Sequence, residues 1–290
     1  MGVAVSGGAD SLALLVLAHA ARPGEVEAAT VDHGLRPEAR EEAEFVARVC
    51  ADLGVPHAIL AVDVPPGNMQ SEARQARYSV LAEWMEQRGL NLLASAHHAD
   101  DQAETLLMRL MRGSGLAGLA GVRASGNVPG TDLSLIRPLL GWRKQELEAL
   151  VRESGIEAVA DPSNVDERFD RARMRKQLAG ADWMDPLAMA QSASHLADAD
   201  EALQWAVDRE WNENVRCDPD GTLHYRPHAP RAIRLAVLGR AIRDLGGEPR
   251  GGAVSDLLNA LEAGKGGNLA GVLATSISEE WALRREPPRR

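Results

Sequence analysis

Val3-Ala4-Val5-Ser6-Gly7-Gly8-Ala9-Asp10-Ser11-Leu12-Ala13-Leu14-Leu15-Val16 stands at the start of the chain and decides how the rest is read. Val3 to Val5 is a short apolar run that stops at Ser6-Gly7-Gly8. The apolar positions that follow, Leu12, Leu14, Leu15 and Val16, continue over a length too great for a strand, which predicts strand, glycine turn and helix. Glycines there let backbone amides turn toward an anion, and the helix dipole adds positive potential, so Ser6 to Ser11 is predicted to cradle phosphate. The turn has no Gly-x-x-x-x-Gly-Lys pattern and therefore no lysine for terminal phosphates, which argues against a kinase or GTPase loop.

The same alternation recurs downstream. Strands are predicted from Val26 to Val31, His57 to Val62 and Asn91 to Ala96, with helices around Glu38 to Leu53, Gln70 to Arg88 and Asp100 to Arg112. Gly113 to Gly130, rich in Gly, Ser and Pro, is predicted as a mobile or substrate-facing loop, and Leu133 to Ile136 as a last strand before a helix from Lys144 to Glu153. Strands alternating with helices in one sense imply an α/β fold with a doubly wound parallel sheet, whose ligands sit beyond the carboxyl ends of the strands. After about residue 180 the alternation stops: Pro186 to Val215 reads as one long helix, Gly221 marks a turn, and two further helices precede Leu269 to Leu283. The expected organisation is a catalytic domain over residues 1–180 and a smaller, mainly helical C-terminal domain over 181–290.

Composition limits the function classes. With 290 residues, 45% hydrophobic and 26% charged, the chain is expected to fold as a soluble globule rather than a disordered or collagen-like polymer. The apolar stretch Leu12 to Ala21 is far below the roughly 20 residues of a spanning helix and has no basic leader, so a cytoplasmic location is expected. Cys50 and Cys217 are the two cysteines, too far apart for a CxxC motif. A formal charge of −10 argues against a uniformly basic nucleic-acid binder, so any RNA contact must use local patches; the tail Arg284 to Arg290 reads as solvated.

Two further segments fall at predicted strand ends. Val31-Asp32-His33-Gly34-Leu35-Arg36 places a carboxylate and an imidazole beside the first loop, where Asp32 suits Mg2+ or the nucleotide. Ser95-Ala96-His97-His98-Ala99-Asp100-Asp101-Gln102-Ala103-Glu104-Thr105 runs from a strand into a helix. Asp101 and Glu104, three apart, share one helical face suited to an ammonium group or a metal. His97-His98 does not have helical ligand spacing, and adjacent strand residues point to opposite faces, which disfavours zinc.

These segments are joined by Ser71-Glu72-Ala73-Arg74-Gln75-Ala76-Arg77-Tyr78, by Arg109-Leu110-Met111-Arg112-Gly113-Ser114-Gly115-Leu116-Ala117-Gly118-Leu119, and by Asp161-Pro162-Ser163-Asn164 with Arg171-Ala172-Arg173-Met174-Arg175. In order, over roughly residues 3 to 178, the set resembles the signature of the tRNA(Ile)-lysidine synthases, within the N-type ATP pyrophosphatases. The resemblance implies an adenine nucleotide alpha hydrolase-like fold and a carbon–nitrogen ligase. In that reaction AMP is transferred from ATP to activate C2 of the wobble cytidine of a CAU anticodon, and the lysine ε-amine then displaces AMP. It implies ATP and Mg2+, tRNA(Ile) and L-lysine as partners, no membrane, and leaves a homodimer open. It further implies that Ser6, Gly7, Gly8, Ala9, Asp10, Ser11 and His33 bind ATP, with Mg2+ near Asp10 and Asp32. Asp10, Asp32, Arg171 and Arg173 are the implied catalytic set; Asp101 and Glu104 would bind lysine, and Arg74, Arg77, Arg109, Arg112 and Arg175 tRNA or phosphate. The chain departs from the family at Ala172, where an asparagine is common, and it resembles the shorter C-terminal forms. The alternative is another PP-loop enzyme that modifies tRNA or forms an amide through an adenylate; thiolation generally wants paired cysteines or a cluster.

Overall fold

The computed structural model describes residues 1–32, 37–62, 69–159, 170–178, 180–181, 183–249 and 251–286. Its elements run β1 (Gly2–Ala4), α1 (Ala9–Ala21), β2 (Glu27–Asp32), α2 (Pro37–Leu53), β3 (His57–Ala61), α3 (Met69–Arg88), β4 (Leu92–Ala94), α4 (Ala99–Met111), α5 (Leu116–Leu119), β5 (Ser125–Asn127), β6 (Ser134–Ile136), α6 (Lys144–Glu153), α7 (Asp170–Leu178) and α8 (Pro186–Asn214). There follow β7 (Val215–Cys217), β8 (Leu223–Tyr225), α9 (Arg231–Asp244), α10 (Gly251–Glu262), β9 (Gly267–Leu269), β10 (Val272–Ile277) and β11 (Glu280–Arg285). The residues pack as two units, Met1–Ala197 and Asp198–Arg290. Among the described residues no helix is long and apolar enough to cross a membrane.

In the first unit, strand periodicity puts side chains into two cores. Val3 and Val5 join Leu12, Leu15, Val46, Cys50, Leu147 and Val151 on one face, whereas Ala4, Ala29 and Leu93 face Tyr78, Leu81, Trp84 and Met85 of α3 on the other. The helices answer with their own period: Ala43, Val46 and Cys50 are buried on α2, and Tyr78, Leu81, Ala82 and Met85 on α3. Each fully buried leucine or valine contributes about 1.5–3 kcal/mol relative to exposure.

The sheet order is β3-β2-β1-β4-β6-β5, parallel throughout except that β5 runs antiparallel on β6. The chain lays β1, β2 and β3 outward, then returns to place β4 on the other side of β1. The carboxyl ends of β1 and β4 therefore flank the point where strand order reverses, the usual ligand crevice of an open parallel sheet. The stretch read from sequence as one glycine-rich loop contains α5 and β5.

The second unit holds, besides helices, a five-stranded antiparallel sheet in the order β7-β8-β11-β10-β9. Three of its strands are only three residues long, too short to show a sequence period. Tyr225 and Trp281 meet edge to face with centroids 5.4 Å apart. Beside them Glu210, 8% exposed, accepts the Tyr225 hydroxyl at 2.9 Å, the amides of His228 and Ala229 at 3.0 and 3.1 Å, and Asn214 Nδ2 at 2.9 Å. Burial pushes the Glu210 pKa up, but these donors outweigh it and hold the carboxyl below its ordinary value.

Glu210→Ala leaves two amides and a phenol without their acceptor and should destabilise this unit by about 3 kcal/mol. Because the folded-state pKa is depressed, the stabilisation is present above the ordinary glutamate value of about 4.3 and is lost as pH falls through the folded value. Denaturant unfolding of parent and variant between about pH 7 and pH 3 checks this. A difference that does not shrink on acidification contradicts it.

Candidate active site

The turn after β1 takes its shape from Gly7 and Ser11. Gly7 has φ +89°, a left-handed conformation that a side chain would strain. The Ser11 hydroxyl donates to the Gly8 carbonyl at 2.9 Å, accepts the Ser6 amide at 3.1 Å and lies 3.2 Å from the Ser6 hydroxyl. The Gly7 carbonyl accepts the Val159 amide at 3.0 Å. Gly8 stands at the N-cap of α1 in an extended conformation and provides no side-chain cap, so α1 presents its first-turn amides and dipole at the crevice.

Across that crevice, β4 delivers His98, whose side chain is 2% exposed. Its Nε2 lies 3.4 Å from Asp10 Oδ2 and 3.5 Å from Asp101 Oδ2, and its Nδ1 lies 3.6 Å from Asp100 Oδ2. At these separations the ring is an ion-pair partner rather than a short hydrogen-bond donor, and among the described residues Nδ1 has no hydrogen-bond partner. Burial lowers the His98 pKa, but Asp10, Asp100 and Asp101 outweigh it and raise it to about 10, so the imidazole is a cation at neutral pH. The neighbouring His97 has the opposite fate: burial, with the nearby arginines Arg137, Arg74 and Arg171, takes it to about 4 despite Asp101. Its Nδ1 lies 3.1 Å from Ser95 Oγ.

The acidic pair is already engaged. Glu104 is 4% exposed and receives Arg175 Nε at 2.7 Å and Arg171 Nε at 3.2 Å; Arg175 Nη2 reaches Asp101 at 3.2 Å and Arg171 Nη2 reaches Thr105 Oγ1 at 3.0 Å. Arg171 and Arg175 are one helical turn apart on α7, and Asp101 and Glu104 less than one turn apart on α4, so the two helices meet through matched charges. Burial raises the Glu104 pKa more than Arg175 and Arg171 lower it. Asp101 is lowered, burial being outweighed by His98, Arg171 and His97. Glu104 and Arg175 border a cleft of about 670 Å³ that also touches Asp100, Arg143, Lys144, Leu178 and Met184.

Other side chains of α4 fix the neighbouring loop. Gln102 donates to the Val122 carbonyl and accepts the Val122 amide, both at 2.7 Å, while Arg109 Nη1 donates to the carbonyls of Gly118 at 2.6 Å and Gly121 at 3.2 Å. Gly121 has φ +67°, a conformation that favours glycine, and a Cβ there would stand 2.5 Å from Gln102 Oε1 and push that clamp aside.

The structure thus brings together Ser6 to Ser11, Asp10, Asp101, Glu104, Arg171 and Arg175. Arg175, expected at phosphate, sits with Arg171 on Glu104, whereas Arg173 is exposed and is not a Glu104 partner. Arg109 is spent in part on loop carbonyls, and Arg112 is exposed at the end of α4. Arg74 and Arg77 lie 5.1 and 5.4 Å from the Tyr78 ring centre. Asp32 ends β2 at the same sheet edge as the phosphate turn; His33 lies outside the described residues. His98, Gln102 and Arg143 were not singled out from sequence as binding groups. Only the strand order sets His98 opposite Asp10, and no spacing along the chain signals it.

With this geometry in place, comparison with known proteins gives consistent answers. A profile of the PP-loop domain matches residues 1–181. A tRNA(Ile)-lysidine synthase of Novosphingobium aromaticivorans is 46% identical over 99% of this chain and 89% of its own length. One from Zymomonas mobilis is 41% identical over 100% of this chain and 89% of its own. Among solved structures, the U34-tRNA thiolase NcsA of Methanococcus maripaludis covers 68% of this chain and 71% of its own at 18% identity and a TM-score of 0.54, a likeness of fold. In this chain Cys50 is buried, its thiol pushed up to about 11 by burial, and Cys217 is exposed in the second unit.

Because burial raises the Glu104 pKa above the ordinary range, the ionised form is the penalised one, and the penalty grows as pH rises toward and through the folded value. Glu104→Gln gives up the charge-assisted bonds from Arg175 and Arg171 and should melt below the parent, but by less at about pH 8 than at about pH 5, because the ionised carboxylate of the parent is the penalised form. Thermal unfolding at both pH values checks this; a deficit that grows with pH contradicts it.

Proposed function

We propose that this chain, which belongs to the tRNA(Ile)-lysidine synthase family of PP-loop proteins, ligates L-lysine to C2 of the wobble cytidine of a CAU anticodon through an adenylated RNA intermediate. The observation that carries the reading is the double contact of His98 with Asp10 and Asp101, which joins the phosphate turn to the acidic pair within one crevice. An adenylating ligase needs both ends of such a site, one for the leaving pyrophosphate and one for an incoming amine.

In the first step the cytidine O2 attacks the α-phosphorus of ATP. A phosphorus–oxygen bond forms, the bond to the β-phosphate breaks, and pyrophosphate leaves into the cradle of Ser6 to Ser11, where the α1 amides and dipole stabilise its charge. Magnesium fits this edge: among the described residues Asp10 Oδ1 is buried with no hydrogen-bond partner, and Asp32 ends the adjacent strand. Those two carboxylates would hold the ion, which when bound neutralises polyphosphate charge. In the second step the uncharged lysine ε-amine attacks C2, the C2–O2 bond breaks, AMP departs and the amine gives up a proton. Asp101 and Glu104 recognise the cationic amine before attack and orient it. Arg171 and Arg175, held on Glu104 by hydrogen bonds, are assigned to the phosphate of AMP, bidentate guanidinium contacts being suited to phosphate oxygens. Arg173, Arg74, Arg77 and Arg112 are assigned to RNA phosphate, and Arg109 to that role through the loop it holds.

Labelled lysine, ATP and Mg2+ supplied with unmodified tRNA(Ile) transcripts test the reading. Incorporation is expected with a CAU anticodon and not with the wobble cytidine replaced by uridine, and Asp10→Ala should lower it by about 10²-fold or more without unfolding the protein. Pyrophosphate release on a different acceptor, with no lysine incorporated, would move the function to another adenylating member of the same fold.

A further inference from the structure

We infer that the cleft beside Glu104 holds the whole amino-acid co-substrate, with Arg143 as the group that binds its α-carboxylate. This rests on the ligase reading above and extends it to a part of the amino acid that takes no part in the reaction.

The cleft is mixed in polarity. Glu104, already paired with Arg175, lines it together with the apolar Ala103, Leu178 and Met184 and with Arg143 and Lys144 at the start of α6. A carboxylate, an apolar wall and a second cation suit the ammonium, aliphatic chain and carboxylate of an amino acid with a long basic side chain. Asp100 and Glu104 are one helical turn apart on α4, about 5–6 Å between their β-carbons, and Arg143 stands 3.7 Å from Asp100, so the guanidinium lines the cleft on the Asp100 side.

Arg143 is also not consumed by the fold. Its nearest carboxylates, Asp100 Oδ1 and Asp185 Oδ1, are both 3.7 Å away, beyond hydrogen-bond reach, and its Nε is enclosed with no hydrogen-bond partner among the described residues. A guanidinium kept for structure alone usually makes short bidentate pairs, and a buried N–H without an acceptor is costly. Asp100 stands beside it, but the Lys144 amide takes one of its oxygens at 2.8 Å and His98 stands 3.6 Å from it, so its charge is largely answered before a ligand arrives. The dipole of the ten-residue α6 adds positive potential there. The arrangement makes Arg143 a specificity-determining residue that acts at the end of the amino acid remote from the reacting amine.

The test compares lysine with lysinamide, which keeps the ε-amine and replaces the carboxylate by a neutral amide, in the full-length parent, Arg143→Ala and Arg143→Lys. The parent should favour lysine by about tenfold or more in kcat/KM. Arg143→Ala should lower kcat/KM for lysine by about that factor, mainly through KM, and leave lysinamide within about twofold, so that the preference disappears. Arg143→Lys, which keeps the charge without the planar fork, should recover part of it and serves if the alanine variant unfolds. A parent that ligates lysine with a preference unchanged in the variants, or variants that weaken both amines equally, overturns this inference alone. A parent that ligates neither amine overturns the ligase reading and this inference with it.

Discussion

A buried imidazolium shared among three carboxylates holds the site together. His98 is the N-cap of α4, in the turn that follows β4, and Asp10 stands at the start of α1, segments far apart in sequence that meet because β4 is laid beside β1 at the reversal of strand order. Remove that charge and Asp10, Asp100 and Asp101 would face one another in a crevice with little water to screen them. The position of the acidic pair relative to the phosphate turn therefore depends on one cationic side chain, itself held as a cation by the same carboxylates.

From that constraint the second layer of the site follows. Asp101, drawn toward His98 by its charge and by the His98 amide, sets the start of α4, which places Glu104 less than one turn further in and Gln102 and Arg109 where they clamp the Gly118 to Val122 loop. Glu104 would be a poorly solvated anion by itself; Arg171 and Arg175 of α7 supply the counter-charge. In the proposed reaction a substrate ammonium at Glu104 would compete with these guanidinium groups.

Much of this was legible in the sequence where local chemistry dictates local structure. The glycines and serines around Asp10 announce a strand-turn-helix cradle because few other sequences permit it, and the apolar periods of Leu12 to Val16 and Tyr78 to Met85 announce their helices. Asp101 and Glu104 were readable as one face from spacing alone. What was not legible depends on pairing across distance. The partner of Asp10 is fixed by sheet order, the partners of Glu104 by how α7 crosses α4, and Arg175 rather than Arg173 reaches the carboxylate because it lies one turn from Arg171. The second unit's sheet escaped because strands of three residues carry almost no alternation, although Trp281 and Leu283 in β11 point into its core.

The central claim is that one crevice performs two chemically separable steps, with the phosphate turn serving the first and the acidic pair the second. The most direct measurement supplies ATP labelled at the α-phosphate and a CAU-bearing tRNA(Ile) transcript without lysine, and follows label onto the RNA in the parent, Glu104→Gln and Asp10→Asn. The account predicts labelled RNA with the parent and with Glu104→Gln, and little or none with Asp10→Asn. Absence of label with Glu104→Gln, or undiminished labelling with Asp10→Asn, would contradict the division of the site into those two halves.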